Sequence, residues 1–305
     1  AYTVLDIPGK GKGAVAIRDI RPGEVILNEK PLFTVPPTIK SSPLDLLREK
    51  LGRVTDEQKQ AFFSLSYVNF PKNKDPAKDI DELALAIFST NAVIAGEEVG
   101  VFPRMARLNH GCSSGFNAVY SFRPTEGTLY VHAIKPIAKG EELLTAYSDT
   151  KKPRDQRRDY LRANYAFDCT CSVCTLPEKE SKASDARLSQ MAAKWQRFAK
   201  WIDGSFDGVE AIKLVRGIWK LGEEEGYFSE RGRLAADAVW VAAGHSDADA
   251  VRQWGEVSKK WYAMELGEGN EQVLFTEKIL ARPETHPAWG SREQLKVGGP
   301  ELAGA

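Results

Sequence analysis

Cysteine is scarce in this chain, with four residues in 305 and none before Cys112. That scarcity argues against a disulfide framework of the kind that staples small secreted domains. Long apolar runs are missing too. Nothing approaches the roughly 20 apolar residues that cross a bilayer as a helix, so no membrane partner is expected. No signal-peptide pattern is read in the first residues. Excess charge is also missing, since 42 lysines and arginines balance 42 aspartates and glutamates. A net charge of zero gives no support for direct nucleic-acid binding or for general attraction to anionic membranes. It leaves open a local groove that recognises a charged segment. The length suffices for one large domain or two modest ones with real cores.

The few cysteines stand in two places. One closes Asn109-His110-Gly111-Cys112, and three form Cys169-Thr170-Cys171-Ser172-Val173-Cys174. Thiolates bind zinc tetrahedrally, and a structural site takes four ligands with no open position. The Cys-x-Cys-x-x-Cys run supplies three from one short turn, and Cys112 is the remaining thiol. One structural zinc held by Cys112, Cys169, Cys171 and Cys174 is therefore expected. The alternative is unrelated buried thiols or disulfides, for which the crowded spacing is awkward. A reducing compartment, cytoplasmic and/or nuclear, fits cysteines with a metal role.

Turn punctuation divides the rest. From Tyr2 to Phe33 short β-rich stretches alternate with Pro8-Gly9, Gly11, Gly13 and Pro22-Gly23, and Val15–Ile17 and Glu24–Leu27 read as strands. Residues 43–90 read as a helical insert, with Thr55-Asp56-Glu57-Gln58 matching a capping box. Strands resume at Ala118–Phe122 and Thr128–Ala133, and Arg154–Ala163 reads as a helix leading into the cysteine cluster. Beyond residue 176 helical periodicity dominates. Helices are expected near 184–202, 207–225, 229–244, 247–266 and 270–281, separated by glycine-containing turns. Six of the seven tryptophans fall between Trp195 and Trp261 and read as core packing. Trp219 and Trp254, 35 residues apart, suggest hairpin repeats of tetratricopeptide type. Residues 283–305, rich in glycine, proline and charge, read as a loose tail. Lys151-Lys152-Pro153-Arg154 with Arg157-Arg158 resembles a nuclear localisation signal, though a structural, solvated helix face is the plainer reading.

Four motifs occur in order. They are Gly9-Lys10-Gly11-Lys12-Gly13, then Asn109-His110-x-Cys112, then Gly140-Glu141-Glu142-Leu143-x-x-x-Tyr147, then Tyr165-x-Phe167-x-Cys169-x-Cys171-x-x-Cys174. Together they resemble the SET domain with its post-SET zinc segment, and most closely the SET-and-MYND subfamily. The cysteine-rich MYND module of that subfamily has no counterpart, because no cysteine precedes Cys112. The family's short Pro-Asn turn after the cysteine is replaced by Ser113-Ser114-Gly115-Phe116-Asn117. The resemblance implies an α+β fold. A β-rich core of small sheets with a helical insert and post-SET zinc segment would span 1–175, with the segment itself at 165–175. An all-helical lobe over 176–282 would follow.

It also implies transfer of a methyl group from S-adenosylmethionine to the lysine side chain of a protein substrate, histone or non-histone. Lys10, Gly11 and Lys12 match the loop that holds the methionine end of the cofactor, although two lysines in a glycine loop also read as plain surface charges. Asn109 and His110 match the cofactor-binding pair, and Phe167 matches the aromatic set against the adenine. Asn91 matches a further contact, or simply ends the helix before it. Tyr147, also at the cofactor, is the chief candidate for catalysis, with Tyr165 lining the lysine channel. Two other readings stand beside this one: a SET scaffold without catalysis, and a small-molecule amine methyltransferase. Oligomeric state is not legible.

Overall fold

The computed structural model describes residues 1–38 and 42–301. Strands β1 (Tyr2–Ile7) and β2 (Gly11–Ala16) form an antiparallel hairpin whose tip is Pro8-Gly9-Lys10. Strand β3 (Val25–Glu29) follows a turn, and β4 (Thr34–Val35) leads into the insert. The insert comprises α1 (Pro43–Gly52), α2 (Asp56–Phe63) and α3 (Ile80–Asn91). Helix α2 begins with the expected capping box, Thr55 and Gln58 each bonding the other's backbone N–H. The reading of 43–90 as helical holds for these three pieces, while 64–79 is an irregular connection.

Short strands β5 (Val93–Ala95) and β6 (Glu98–Gly100) pair as a hairpin, and β6 also pairs with β4. Then come β7 (Asn109–His110), β8 (Ala118–Arg123), β9 (Thr128–Ala133) and β10 (Leu144–Thr145). Among the described residues the strands make four small sheets: β1-β2, β3-β9-β8, β4-β6-β5 and the parallel pair β7-β10. That last pair decides the site. Asn109 lies opposite Leu144 and His110 opposite Thr145, so two motifs far apart in sequence run side by side. A core of Ile20, Leu27, Leu108, Leu129, Val131 and Leu143 packs beneath.

Helix α4 (Arg154–Tyr165) ends at Ala166 in the left-handed conformation, φ 57°, which turns the chain into the cysteine run. The helical lobe follows as α5 (Glu178–Ala199), α6 (Gly208–Glu225), α7 (Arg231–Gly244), α8 (Ala248–Leu266) and α9 (Glu271–Ala281). Asp207, Asp247 and Asn270 cap α6, α8 and α9 by accepting from backbone N–H groups of the first turn. Trp201, Trp219 and Trp254 are buried in the lobe's core, and Trp195, Trp261 and Trp289 pack against it. Trp240 departs from the core-packing expectation, because it stands 49% exposed.

The expected loose tail needs correction for its described part, 283–301. Arg292 donates to the Trp201 carbonyl at 2.7 Å, and Leu295 N–H donates to the His245 carbonyl at 3.1 Å. Val297 is buried, with its N–H held by Asp247 at 2.8 Å. After one 3-10 turn at Pro283–Thr285 the chain runs without regular structure, and its backbone groups bond along the lobe instead. No helix among the described residues is long and apolar enough to cross a membrane.

Candidate active site and cysteine cluster

The parallel pair β7-β10, the β1-β2 tip, the end of α3 and the chain after α4 surround a cavity of about 670 Å³. Of the residues singled out from sequence, Lys10, Lys12, Asn91, Asn109, His110, Tyr147, Tyr165 and Phe167 all line it. Gly11 does not, although Gly9 beside it does. Both glycines have positive φ, 74° for Gly9 and 70° for Gly11, which the sharp hairpin tip requires. Gly13 is needed for a different reason. A Cβ there would lie 2.8 Å from Asn109 Nδ2 and 3.0 Å from Glu142 Oε1, so the strand can approach Asn109 only as glycine.

Glu142 organises this corner. It pairs with Lys10 Nζ at 2.5 Å and accepts from Asn109 Nδ2 at 2.8 Å. Asn91 donates to the carbonyls of Ile87 and Ser66, each at 2.7 Å, so it does end α3 while still facing the cavity.

His110 has both ring nitrogens committed. Nδ1 accepts from Tyr147 N–H at 3.0 Å, which leaves the proton on Nε2, 3.1 Å from Cys112 Sγ. Burial holds the ring neutral, with its pKa lowered to about 4. Only the ring face and backbone remain for a ligand. Tyr147 donates its hydroxyl to the Leu108 carbonyl at 2.8 Å, and its ring lies 4.9 Å from Tyr165, centroid to centroid. Burial raises the pKa of both phenols, so they stay protonated near neutrality.

The four sulfurs lie within 4.8 Å of one another, and all four cysteines are free and buried. Cys112 Sγ is 4.0 Å from Cys169 Sγ and 3.6 Å from Cys174 Sγ. Tetrahedral zinc with bonds of about 2.3 Å separates its sulfurs by ~3.8 Å, so the donor set and its spacing fit one zinc ion. Arg157, 1% exposed, lies beside Cys112 and offsets the negative charge of such a centre. Arg158 donates to the Cys174 carbonyl at 3.0 Å. Lys151 pairs with Glu230 at 2.6 Å. The basic run 151–158 is therefore structural, with Arg157 buried while Lys152 stays exposed.

Sequence reasoning did not assign Tyr120, Glu142 or Arg157. Tyr120, on β8, lines the cavity, and burial raises its phenol pKa. Its only sequence signal is its place in an alternating strand. Glu142 lies inside the Gly140–Tyr147 motif, whose pattern gives it no role of its own, and Arg157 lies within a run of basic residues.

The SET domain family model matches residues 11–148. Histone-lysine N-methyltransferase set5 of Schizosaccharomyces pombe is 30% identical over 288 residues, 93% of this chain and 85% of that protein. The chain belongs to the SET-domain family. N-lysine methyltransferase SMYD2 of Homo sapiens is 28% identical over 53% of this chain and 38% of its own length. Histone-lysine N-methyltransferase SMYD3 of Mus musculus is 25% identical over 44% of this chain and 34% of its own. The solved SET domain of LSMT bound to lysine and AdoHcy aligns over 93% of this chain and 83% of that one, at 15% identity and a TM-score of 0.35. A superposition that loose transfers no geometry.

Proposed function

We propose that this chain is a protein-lysine N-methyltransferase that uses S-adenosylmethionine. The observation that carries the reading is the convergence of eight residues, chosen from five separate segments, on one cavity of about 670 Å³. That volume lies within the ~300–1,000 Å³ typical of small-molecule sites. The lining fits a nucleoside with an amino-acid end: Phe167 offers a ring face for a purine, Lys10 or Lys12 a cation for a carboxylate, and Asn109 a carbonyl oxygen that still accepts.

When bound, S-adenosylmethionine supplies an electrophilic methyl on a sulfonium. The substrate lysine must arrive neutral, and with a pKa near 10.4 that costs about 4 kcal/mol at neutral pH. Tyr120, Tyr147 and Tyr165 wall the channel with rings, which disfavours the ammonium and lets its proton leave to water before transfer. Tyr147 spends its own proton on Leu108, so its oxygen is left to accept from the amine and aim the nitrogen lone pair. With the cofactor held by Lys10, Asn109 and Phe167, attack by the neutral amine would take the methyl, leave a neutral thioether and put the positive charge on the lysine nitrogen. No side chain needs to act as a strong base. Protein substrates in the cytoplasm or nucleus suit a chain with four free thiols gathered for a metal.

The test is transfer of tritium from labelled S-adenosylmethionine into fractionated cell extract, with Tyr147→Phe as the comparison. Label in protein is expected, falling on the order of a hundredfold in the variant. Label confined to small molecules would point to an amine methyltransferase. A zinc-loaded protein giving no Tyr147-dependent label would point to a scaffold.

A further inference from the structure

We propose that Glu225, the last residue of α6, is a positioning residue through which the helical lobe holds the turn that carries Cys112. Its location is costly in two ways. A carboxylate at a helix C-terminus meets the negative end of the dipole, and this side chain is only 2% exposed. It persists there because its partners satisfy it. Arg187 Nε and Ser184 Oγ, both on α5, donate to it at 2.8 and 2.6 Å. The third partner comes from outside the lobe: Ser113 Oγ donates at 2.7 Å, across 112 positions of sequence.

Ser113 follows Cys112 directly and has φ 41°, a conformation a serine keeps only when its surroundings fix it. Its hydroxyl also accepts from the Ser114 N–H at 2.5 Å, so one oxygen sets both the turn and the bond to the lobe. Two further contacts seat the same turn. Lys135 Nζ donates to the Ser114 carbonyl. Gly226 packs against Ser114, 3.3 Å from the position of an added Cβ to the serine Cβ.

From there contacts run inward. Cys112 Sγ sits 3.1 Å from His110 Nε2, and His110 Nδ1 accepts from the Tyr147 N–H. A shift of the turn therefore moves a metal-ligand sulfur, and with it the imidazole that braces Tyr147. The longer turn after Cys112, which departs from the family pattern, thereby has a role. It supplies the hydroxyl that the lobe holds.

The inference rests on the zinc reading of the cysteine cluster, and its test separates the two. The full chain, loaded with zinc, is mixed with an excess of a chromogenic chelator, and metal release is followed by the absorbance of its zinc complex. Glu225→Ala and Ser113→Ala should each release zinc about tenfold faster, the weight of one hydrogen bond to a charged group. The double variant should be no faster than either single one, because both remove the same bond. Ser184→Ala touches the same carboxylate only from within the lobe, and should stay within about twofold of the parent while lowering the melting temperature.

Wild-type release rates in Glu225→Ala, multiplying effects in the double variant, or equal acceleration by Ser184→Ala would each overturn the proposal. Should Glu225→Ala not fold, Ser113→Ala against Ser184→Ala decides it alone. Parent protein isolated without zinc would refute the metal reading instead. Alkylation of Cys112, followed by peptide mass spectrometry, then tests the clamp directly: faster labelling in Ser113→Ala supports it, and unchanged labelling sinks it.

Discussion

Asn109 and Lys10 owe their positions to one carboxylate, Glu142, which holds both through a single side chain. Neither residue is preorganised by its own backbone. Lys10 sits at a hairpin tip between glycines, and Asn109 on a two-residue strand. Glu142→Gln removes the ion pair but keeps an acceptor for Asn109. We expect weaker binding of S-adenosylhomocysteine by about two- to fivefold, measured by calorimetry, because a partly exposed pair contributes at most about 1 kcal/mol. Unchanged affinity would detach Lys10 from the cofactor. Gly13→Ala should do more damage, since its Cβ meets the Asn109 amide and Ile7 together, at 2.8 and 2.7 Å. The glycine motif was legible because Gly9, Gly11 and Gly13 alternate within five residues of sequence. Their separate reasons, two left-handed turns and one close approach, were not.

At the scale of elements, α8 carries the most unusual group in the lobe. Glu265, near its C-terminus, is buried, and desolvation raises its pKa to about 8. Unfolded, it titrates near the ordinary carboxylate value of about 4.3. Between those two values the folded state binds a proton that the unfolded state has lost, so stability falls as pH rises from about 4.3 through about 8. Glu265 accepts from the Arg231 N–H at 3.1 Å, and glutamine can do the same. Glu265→Gln should therefore raise the melting temperature at about pH 8 and change it little at about pH 5. Calorimetric scans at the two values check this, and an equal shift at both would refute it. The helices of the lobe were placed from sequence because aspartate, asparagine and glycine punctuate them. The first was expected to start at 184, yet α5 begins at Glu178. Its opening turns are polar, so the apolar period that marks a helix is missing there.

Across the whole molecule, the cysteine cluster ties the chain after α4 to the β7 strand, and β7 to the cavity. Removing zinc should therefore loosen the cofactor site as well as the cysteine turn. Wild-type protein should contain one zinc by elemental analysis. Treatment with chelator should lower its melting temperature and abolish measurable binding of S-adenosylhomocysteine. Cofactor binding that survives complete zinc removal would uncouple the two sites. Cys169→Ser should reproduce the effect of chelation, because three remaining thiolates leave the coordination shell open.

By itself the sequence determined the chemistry of this protein. The four thiols, the ordered motifs, the aromatic two places before Cys169 and the punctuated helices are all local patterns, and local patterns survive as a string. What the tertiary structure decided is which distant groups share one atom or one side chain. Glu142 between Lys10 and Asn109, His110 between Tyr147 and Cys112, and Glu225 between the lobe and Ser113 each join segments far apart in sequence. No periodicity encodes them. The packing of small sheets against a helical lobe fixes them, because each buried donor or acceptor left without a partner costs about 1–3 kcal/mol of a net stability of about 5–15 kcal/mol.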